Sequence, residues 1–219
     1  MKNIYMKILN IFILFILTNL TVFGTVQTPD KIIYNGKEYK LGNNPLESYF
    51  EKYPDKRPGA GSTALWRGYV ATFEIKDNQL YLKDIEIQIW DTVDKHKTTM
   101  KSVLNELFPN QDLIKMDWMT GLLLIPYGEI VSYGYLGNAF EHYIVLEIDK
   151  GELKKEKQFD YREYLEFTEK QILAIKETEE YEKIKKTISQ KWNKNYEDKD
   201  IDAFLRGDII GYSSKILVE

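Results

Sequence analysis

The chain has 219 residues, of which 43% are hydrophobic and 29% are charged, and its formal net charge is −4. This length fits one domain, and the composition excludes collagen-like, disordered and disulfide-scaffold proteins. Acidic and basic residues nearly balance, so the chain lacks the excess of positive charge that is typical of nucleic-acid-binding proteins. The sequence has no cysteine and only two histidines, His96 and His142, so disulfides, thiolate nucleophiles, zinc–sulfur sites and iron–sulfur clusters are excluded.

The first 24 residues have the pattern of a secretory signal peptide. Two lysines precede the uninterrupted apolar run 11–17, and Gly24 is a small residue at the expected cleavage position. The alternative is an uncleaved membrane anchor, but spanning takes ~20 predominantly apolar residues, and four polar side chains interrupt this stretch. We therefore expect a single mature domain, residues 25–219, that is periplasmic or secreted and has no stable membrane span.

The first half of the mature chain predicts a hairpin, a short helix and two long strands. Asn35-Gly36 lies between two extended runs and favours a type I′ turn, in which both central residues have positive φ. A helix from Pro45 to about Lys52 would be capped by Asn44. The two strands are Ala64–Ile75 and Gln79–Trp90, and strict alternation in the second places Leu82, Asp84, Glu86 and Gln88 on its more solvated face.

The second half predicts a helix, a meander of strands and a helical C-terminal third. Apolar residues at helical spacing predict a helix over Thr99–Phe108. Apolar residues on both faces from Trp118 to Ile125 predict a central strand. Asp160 and Glu163 form a capping-box pattern for the first C-terminal helix, and a second helix begins at about Glu179. The strands predicted in this half are Lys115–Ile125, Glu129–Tyr135, Glu141–Ile148 and Glu152–Gln158.

These elements predict an α+β fold, with an antiparallel sheet of about seven strands and the C-terminal helices packed on one side. The sequence contains no serine-hydrolase or phosphate-binding motif, and Gly59-Ala-Gly-Ser-Thr63 is interpreted as a loop. Asp198-Lys-Asp-Ile-Asp202 resembles the start of a calcium loop, but Ala203 and Ile209 stand where glycine and glutamate are needed. We interpret this segment as an acidic helix cap, and we expect no metal or cofactor.

Aromatic residues make up 14% of the chain, and several of them flank glycines. Trp66, Arg67, Tyr133 and Tyr135 are the candidates for a recognition surface, because exposed aromatic rings stack on sugars or anchor a protein partner. The alternative is that most aromatic residues fill the core and pair across strands. His142 is a further candidate, either as a general base near Glu141 or Tyr133 or as a neutral imidazole at the border of the core.

Arg67 is one of four arginines against twenty-six lysines, and it lies within a predicted strand. An arginine in an apolar strand needs a partner, since a buried unpaired charge is costly. We expect a cation–π contact or a carboxylate pair, with Asp84, Glu86 or Glu141 as the partner.

Four strings resemble a group of bacterial proteins without an assigned function. They are Asn44-Pro-Leu-Glu-Ser-Tyr-Phe50, Ala64-Leu-Trp-Arg-Gly-Tyr-Val-Ala-Thr72, Leu80-Tyr-Leu-Lys-Asp-Ile85 and Trp118-Met-Thr-Gly121. The resemblance covers roughly residues 30–150 and implies a coherent domain, but it brings no reaction, ligand or catalytic residue.

The leading hypothesis is a non-enzymatic secreted protein that binds another protein or a glycan. A hydrolase that acts through paired carboxylates is the alternative, and it would need two carboxyl groups ~5–9 Å apart in a cleft. If the strands instead close into a barrel with an apolar interior, carriage of a small ligand becomes the favoured function.

Overall fold

The computed structural model describes residues 27–94, 97–134 and 137–219. The predicted signal peptide lies outside these residues, as do His96 and Tyr135. The elements in chain order are β1 (Lys31–Tyr34), β2 (Lys37–Lys40), α1 (Glu47–Lys52), a 3₁₀ turn (Pro54–Lys56), β3 (Val70–Lys76), β4 (Gln79–Trp90), β5 (Thr98–Ser102), α2 (Leu104–Leu107), β6 (Ile114–Lys115), β7 (Gly121–Gly134), β8 (Gly137–Asp149), β9 (Glu152–Asp160), α3 (Tyr161–Lys176), α4 (Glu179–Lys191) and α5 (Asp198–Tyr212).

The described strands form one mixed sheet in the order β2-β1-β3-β4-β9-β8-β7, with β5 and β6 also paired to β4. The α+β class is confirmed, but the sheet has nine strands rather than about seven, and β1 pairs with β3 in parallel. Parallel neighbours need a crossover connection. Here the chain leaves β2, forms α1 and a long loop, and returns beside β1 as β3. The sheet is therefore mostly antiparallel, as predicted, with β1 and β3 as the parallel exception.

The sheet curls until its two end strands meet. Gly42, which follows β2, donates its N–H to the Leu124 carbonyl of β7 at 2.8 Å. The Asn43 side chain donates to the Leu122 carbonyl at 2.7 Å and accepts from the Leu124 N–H at 3.1 Å. The segment from Trp118 to Ile125 was predicted to form a central strand, but β7 is the last strand in the order of hydrogen-bonded neighbours. The start of β7 is buried because other parts of the protein cover both of its faces.

Two hydrophobic cores explain why both faces are covered. The first fills the space enclosed by the curled sheet, where α1 and α2 also pack, and its largest fully buried side chains are Ile32, Leu46, Phe50, Tyr69, Phe73, Leu80, Leu82, Ile85, Met116, Leu123 and Ile125. The second lies between Leu122 and Val145 of the sheet and the helices α3, α4 and α5. The C-terminal helices thus share one face, as predicted, whereas α1 and α2 pack on the other.

A β-bulge in β4 changes which of its residues face the core. The register between β3 and β4 shifts by one residue at Lys83, as an extra residue in one strand requires. Because of this shift, Leu80, Leu82 and Ile85 are all fully buried, which strict alternation cannot achieve. The prediction that Leu82 lies on the solvated face was therefore wrong.

The helix predicted over Thr99–Phe108 is also wrong in its first half. Residues 98–102 form β5 and pair with β4 from Glu86 to Trp90, and only Leu104–Leu107 is helical. Pairing with an available strand outweighs the apolar spacing that favoured a helix.

The caps of the C-terminal helices agree with the prediction from the sequence, whereas the cap of α1 does not. The Asp160–Glu163 capping box is present. Asp198 and Asp200 lie in the first turn of α5, which confirms the acidic-cap interpretation. Asn44 does not cap α1 with its side chain; its backbone carbonyl accepts from Glu47 instead, at 3.1 Å.

Candidate functional site

The structure places the predicted recognition residues in different surroundings. Trp66 and Arg67 lie in a turn, because β3 begins at Val70 and not at Ala64. Trp66 is 61% exposed, whereas Arg67 is only 4% exposed. Tyr133, near the end of β7, is 81% exposed. His142 is exposed on β8, and its ring stacks on Tyr127 with the centroids 5.1 Å apart.

Arg67 finds its carboxylate partner outside the strands that were predicted to supply it. Its guanidinium donates to Asp30 Oδ1 at 3.2 Å and to the Thr28 carbonyl at 2.9 Å. It also lies over the Tyr69 ring, 5.3 Å from the centroid. The expectation of a carboxylate pair with a cation–π contact is confirmed, but the choice of Asp84, Glu86 or Glu141 was wrong. The turn around Arg67 directs the side chain toward the segment that precedes β1.

Asp30 is the buried half of this pair, with 0% exposure. Its Oδ1 also accepts the Ala71 N–H at 2.9 Å, which ties the start of β1 to β3. Burial raises the pKa of Asp30 to about 6, although Arg67 and the Ala71 N–H both oppose that rise. Asp30 Oδ2 and Arg67 Nε have no hydrogen-bond partner among the described residues, so the pair is only partly satisfied.

A second carboxylate, Glu47, continues this network toward the surface. Tyr69 donates its hydroxyl proton to Glu47 Oε1 at 2.7 Å, and Arg57 donates to both Glu47 oxygens at 3.2 and 2.7 Å. Burial favours a higher pKa for Glu47, but the hydrogen bonds from Arg57 and Tyr69 outweigh it and the pKa is lowered. Both carboxylates are thus held by protein partners, and neither lines the two cavities described below. The hydrolase alternative gains no support here.

The candidate residues also do not converge on one cavity. The larger described cavity, about 610 Å³, is an open polar groove along α4. The smaller, about 210 Å³, lies between the start of β7 and the end of α5. Trp66, Arg67 and His142 line neither of them. Within the described ranges, no three His, Cys, Asp or Glu side chains are arranged to hold a metal ion.

The space enclosed by the curled sheet is filled by protein. Phe50 of α1 lies inside it with 1% exposure, against Tyr69 with the ring centroids 5.0 Å apart. Interiors packed in this way leave few voids larger than a water molecule. The near-closed sheet therefore does not favour carriage of a small ligand.

The free strand edges of the sheet differ in how well they are protected against pairing with another chain. Most of β9 has one edge without a described strand partner, but it carries four consecutive charged residues, Lys154 to Lys157. Among the described strands, the far half of β7 pairs only with β8, and its register shifts twice there. Charges and bulges both discourage edge-to-edge pairing. The outer edge of β5 has no strand partner among the described residues, and β5 has neither consecutive charges nor a register shift.

Hydrogen bonds at both ends of β5 show which of its backbone groups face outward. Asp91 donates to the Lys97 carbonyl at 2.9 Å, and Val103 donates to the Ile85 carbonyl at 2.8 Å. In an antiparallel ladder, alternate residues bond to the same neighbour, so the odd-numbered residues of β5 bond to β4. The N–H and C=O groups of Thr98, Met100 and Ser102 face away from β4. We call this row the β5 edge.

Exposed apolar side chains surround the β5 edge. Trp90 opposes Thr98 and Gln88 opposes Met100, so Trp90 and Met100 are diagonal neighbours on one face of the ribbon, 53% and 44% exposed. Val93, at the tip of the β4–β5 hairpin, is 92% exposed. Apolar groups clustered in this way mark interaction surfaces. Sequence reasoning missed the site because it predicted a helix there; the adjacent β-branched residues Thr98 and Thr99 were the available signal for a strand.

Comparisons of this chain with protein-family models, with curated proteins and with solved structures found no match. The resemblance to the group of bacterial proteins therefore stays a prediction. No helix among the described residues has the length and apolar character needed to cross a membrane.

Proposed function

We propose that this chain is a non-enzymatic binding protein that captures an extended segment of another protein as an added strand at the β5 edge. The observation that carries the proposal is the row of outward-facing backbone groups at Thr98, Met100 and Ser102, on an edge without a bulge or a run of charges. In strand addition, main-chain hydrogen bonds provide affinity and alternate side chains provide specificity.

The side chains around the edge define the partner. Trp90 and Met100 favour apolar side chains on one face of the added strand. On the opposite face of β5, Lys101 forms an ion pair with Glu106 at 2.8 Å, so a polar side chain of the partner fits beside Lys101. The segment that fits is extended, with apolar residues at every second position. Trp66 and Tyr133 remain predicted recognition residues for another protein or a glycan.

Met100→Pro should abolish strand addition while leaving the fold intact. Proline lacks an N–H, and the N–H of Met100 points away from β4, so the β4–β5 hydrogen bonds are kept. We expect at least tenfold weaker binding of a synthetic peptide with the sequence of residues 84–90, a strand that already pairs with β5, and a melting temperature within a few degrees of the wild type.

Two matched comparisons keep this test specific. Met100→Ala retains the N–H and should bind the peptide far better than Met100→Pro. Amide hydrogen exchange should show that the peptide protects Thr98, Met100 and Ser102, with Thr99 and Lys101 already protected by β4. Equal peptide affinity in the proline variant, or no protection at ~1 mM peptide, a concentration that detects weak binding, would contradict the proposal. Loss of glycan binding in Trp66→Ala alone would identify the glycan as partner instead.

We further propose that the protein acts in the periplasm or outside the cell, on the strength of the first 24 residues. Full-length chain expressed in a bacterium should lose about 2.5 kDa through removal of the signal peptide and appear in the periplasmic or secreted fraction. Mass spectrometry of the purified protein identifies the new N-terminus. Intact Met1 in the cytoplasmic fraction would overturn this prediction.

A further inference from the structure

The smaller cavity is a cleft between the sheet and the helical layer, and its lining combines polar and apolar groups. Four separate segments line it: the chain from Asn43 to Ser48, the residues around the start of β7, the first turn of α4, and the end of α5 with the residues that follow. Its apolar lining comes from Pro45, Met119, Leu122 and Ile210. These four side chains are nearly buried, and polar groups contribute the larger share of the surface that the cleft exposes.

Glu180, from the first turn of α4, is the one charged side chain among the described residues that line this cleft. Its Oε1 accepts the Ser214 N–H at 2.7 Å, which fixes the carboxylate in place. Within residues 27–94, 97–134 and 137–219, no hydrogen bond to its Oε2 and no lysine or arginine within ion-pair distance is found. The cleft therefore contains a positioned negative charge without a protein counterion.

The volume of the cleft limits the ligand to a small molecule. The cleft holds about 210 Å³, the share of roughly seven water molecules in the liquid and less than the ~300 Å³ at which drug-sized sites begin. The apolar part of the lining can contact a short hydrocarbon body, and the polar residues Ser48, Thr120 and Tyr212 are also among the lining residues.

We propose that this cleft binds a small organic cation, a short alkylammonium or hydroxyalkylammonium ion, with Glu180 as its counterion. The ammonium group donates hydrogen bonds to Glu180 Oε2, and the carbon chain packs against Met119, Leu122 and Ile210. A carboxylate of the same size is excluded because its charge would face that of Glu180 in a half-enclosed site. This site is separate from the β5 edge and does not depend on the proposed function.

The experiment is a titration with n-butylammonium chloride followed by NMR of the backbone amides. The amides of Gly121 and Gly211, which both line the cleft, should shift as the cation binds. Sodium butyrate, a carboxylate of similar size, should leave them unshifted. Glu180→Gln should weaken binding of n-butylammonium at least tenfold while keeping the bond from Ser214, because the glutamine carbonyl still accepts it.

Glu179→Gln is the matched control, since this neighbour removes the same charge from α4 but does not line the cleft. We expect it to change the affinity less than twofold. An equal loss in both variants would show nonspecific attraction to the acidic helix end and overturn the proposal. So would equal shifts with butyrate, or no shift of the two glycines with n-butylammonium at tens of millimolar, well above the range of a millimolar site.

Discussion

Arg67→Ala should lower the free energy of unfolding by about 3–5 kcal/mol at pH 7, the usual cost of removing one partner from a buried ion pair. The variant leaves the Asp30 carboxylate in a site with no solvent access, where Ala71 remains its one described hydrogen-bond donor. It also removes the bond to the Thr28 carbonyl and the contact with the Tyr69 ring. Urea denaturation monitored by tryptophan fluorescence measures the loss.

Arg206→Ala provides the matched control for this prediction. Arg206 pairs with Glu169 at 3.4 Å, but both side chains are 58% exposed, and exposed pairs contribute only ~0–1 kcal/mol. We expect a change below about 0.5 kcal/mol. If Arg67→Ala is as mild as Arg206→Ala and instead weakens partner binding, then Arg67 serves recognition and the structural role assigned here is wrong.

The same ion pair should make stability depend on pH. The pKa of Asp30 is about 6 in the folded protein against an ordinary value of 3.8, so the folded state binds the proton more tightly than the unfolded state. This contribution to stability is fully present below pH ~4 and is lost as the pH rises through about 6. The difference in unfolding free energy between wild type and Asp30→Asn should therefore fall by about 2 kcal/mol from pH 4 to pH 7. A constant difference would contradict the raised pKa.

Phe50→Ala should be the other strongly destabilising change, with an expected loss of about 3–5 kcal/mol, the range for Phe→Ala in packed cores. Phe50 is 1% exposed and lies inside the curled sheet against Tyr69 and Tyr49. Because its apolar neighbours cannot collapse fully, the variant should contain a dry cavity that binds benzene or xenon. Denaturation curves with and without saturating benzene measure both effects, since a ligand of the folded state raises its stability.

Leu173→Ala is the comparison for this variant, because Leu173 is 65% exposed on α3 and its loss should cost less than about 0.5 kcal/mol. Benzene should stabilise Phe50→Ala and leave the wild type and Leu173→Ala unchanged. If benzene stabilises the wild type as well, the enclosed space already contains a cavity, and carriage of a small apolar ligand returns as a function.

The parts of the fold that were predicted correctly depend on local chemistry. Asn35-Gly36 specifies its turn because Asn35 and Gly36 adopt φ values of 51° and 74°, which few residues tolerate. The capping box at Asp160 likewise needs only residues three positions apart. The errors arise where distant segments decide the outcome. The bulge at Lys83 depends on pairing with β3, and β5 forms because β4 offers it an edge.

The candidate sites were harder to predict from the sequence for the same reason. Arg67 was expected to need a carboxylate, which its residue type dictates, but its partner Asp30 is 37 positions away in the chain. The cleft at Glu180 joins segments that lie far apart in the chain, from Asn43 to Ser214, and no local pattern brings them together. Trp66 and Tyr133 were selected as aromatic residues beside glycine, and both are exposed, but that fact alone does not identify a ligand.

Asn43 closes the curled sheet, and this contact determines when the sheet can be completed while the chain is being synthesised. Asn43 bonds to the backbone of residues 79 and 81 positions further along the chain. At the usual translation rate of about 5–20 residues per second, the β1–β2 hairpin waits roughly 4–16 s after Asn43 is made before β7 exists. The hairpin can form by itself in microseconds. Its outer edge therefore remains without its native partner while the next 79 to 81 residues are made, so the first half of the chain depends on the second to cover it.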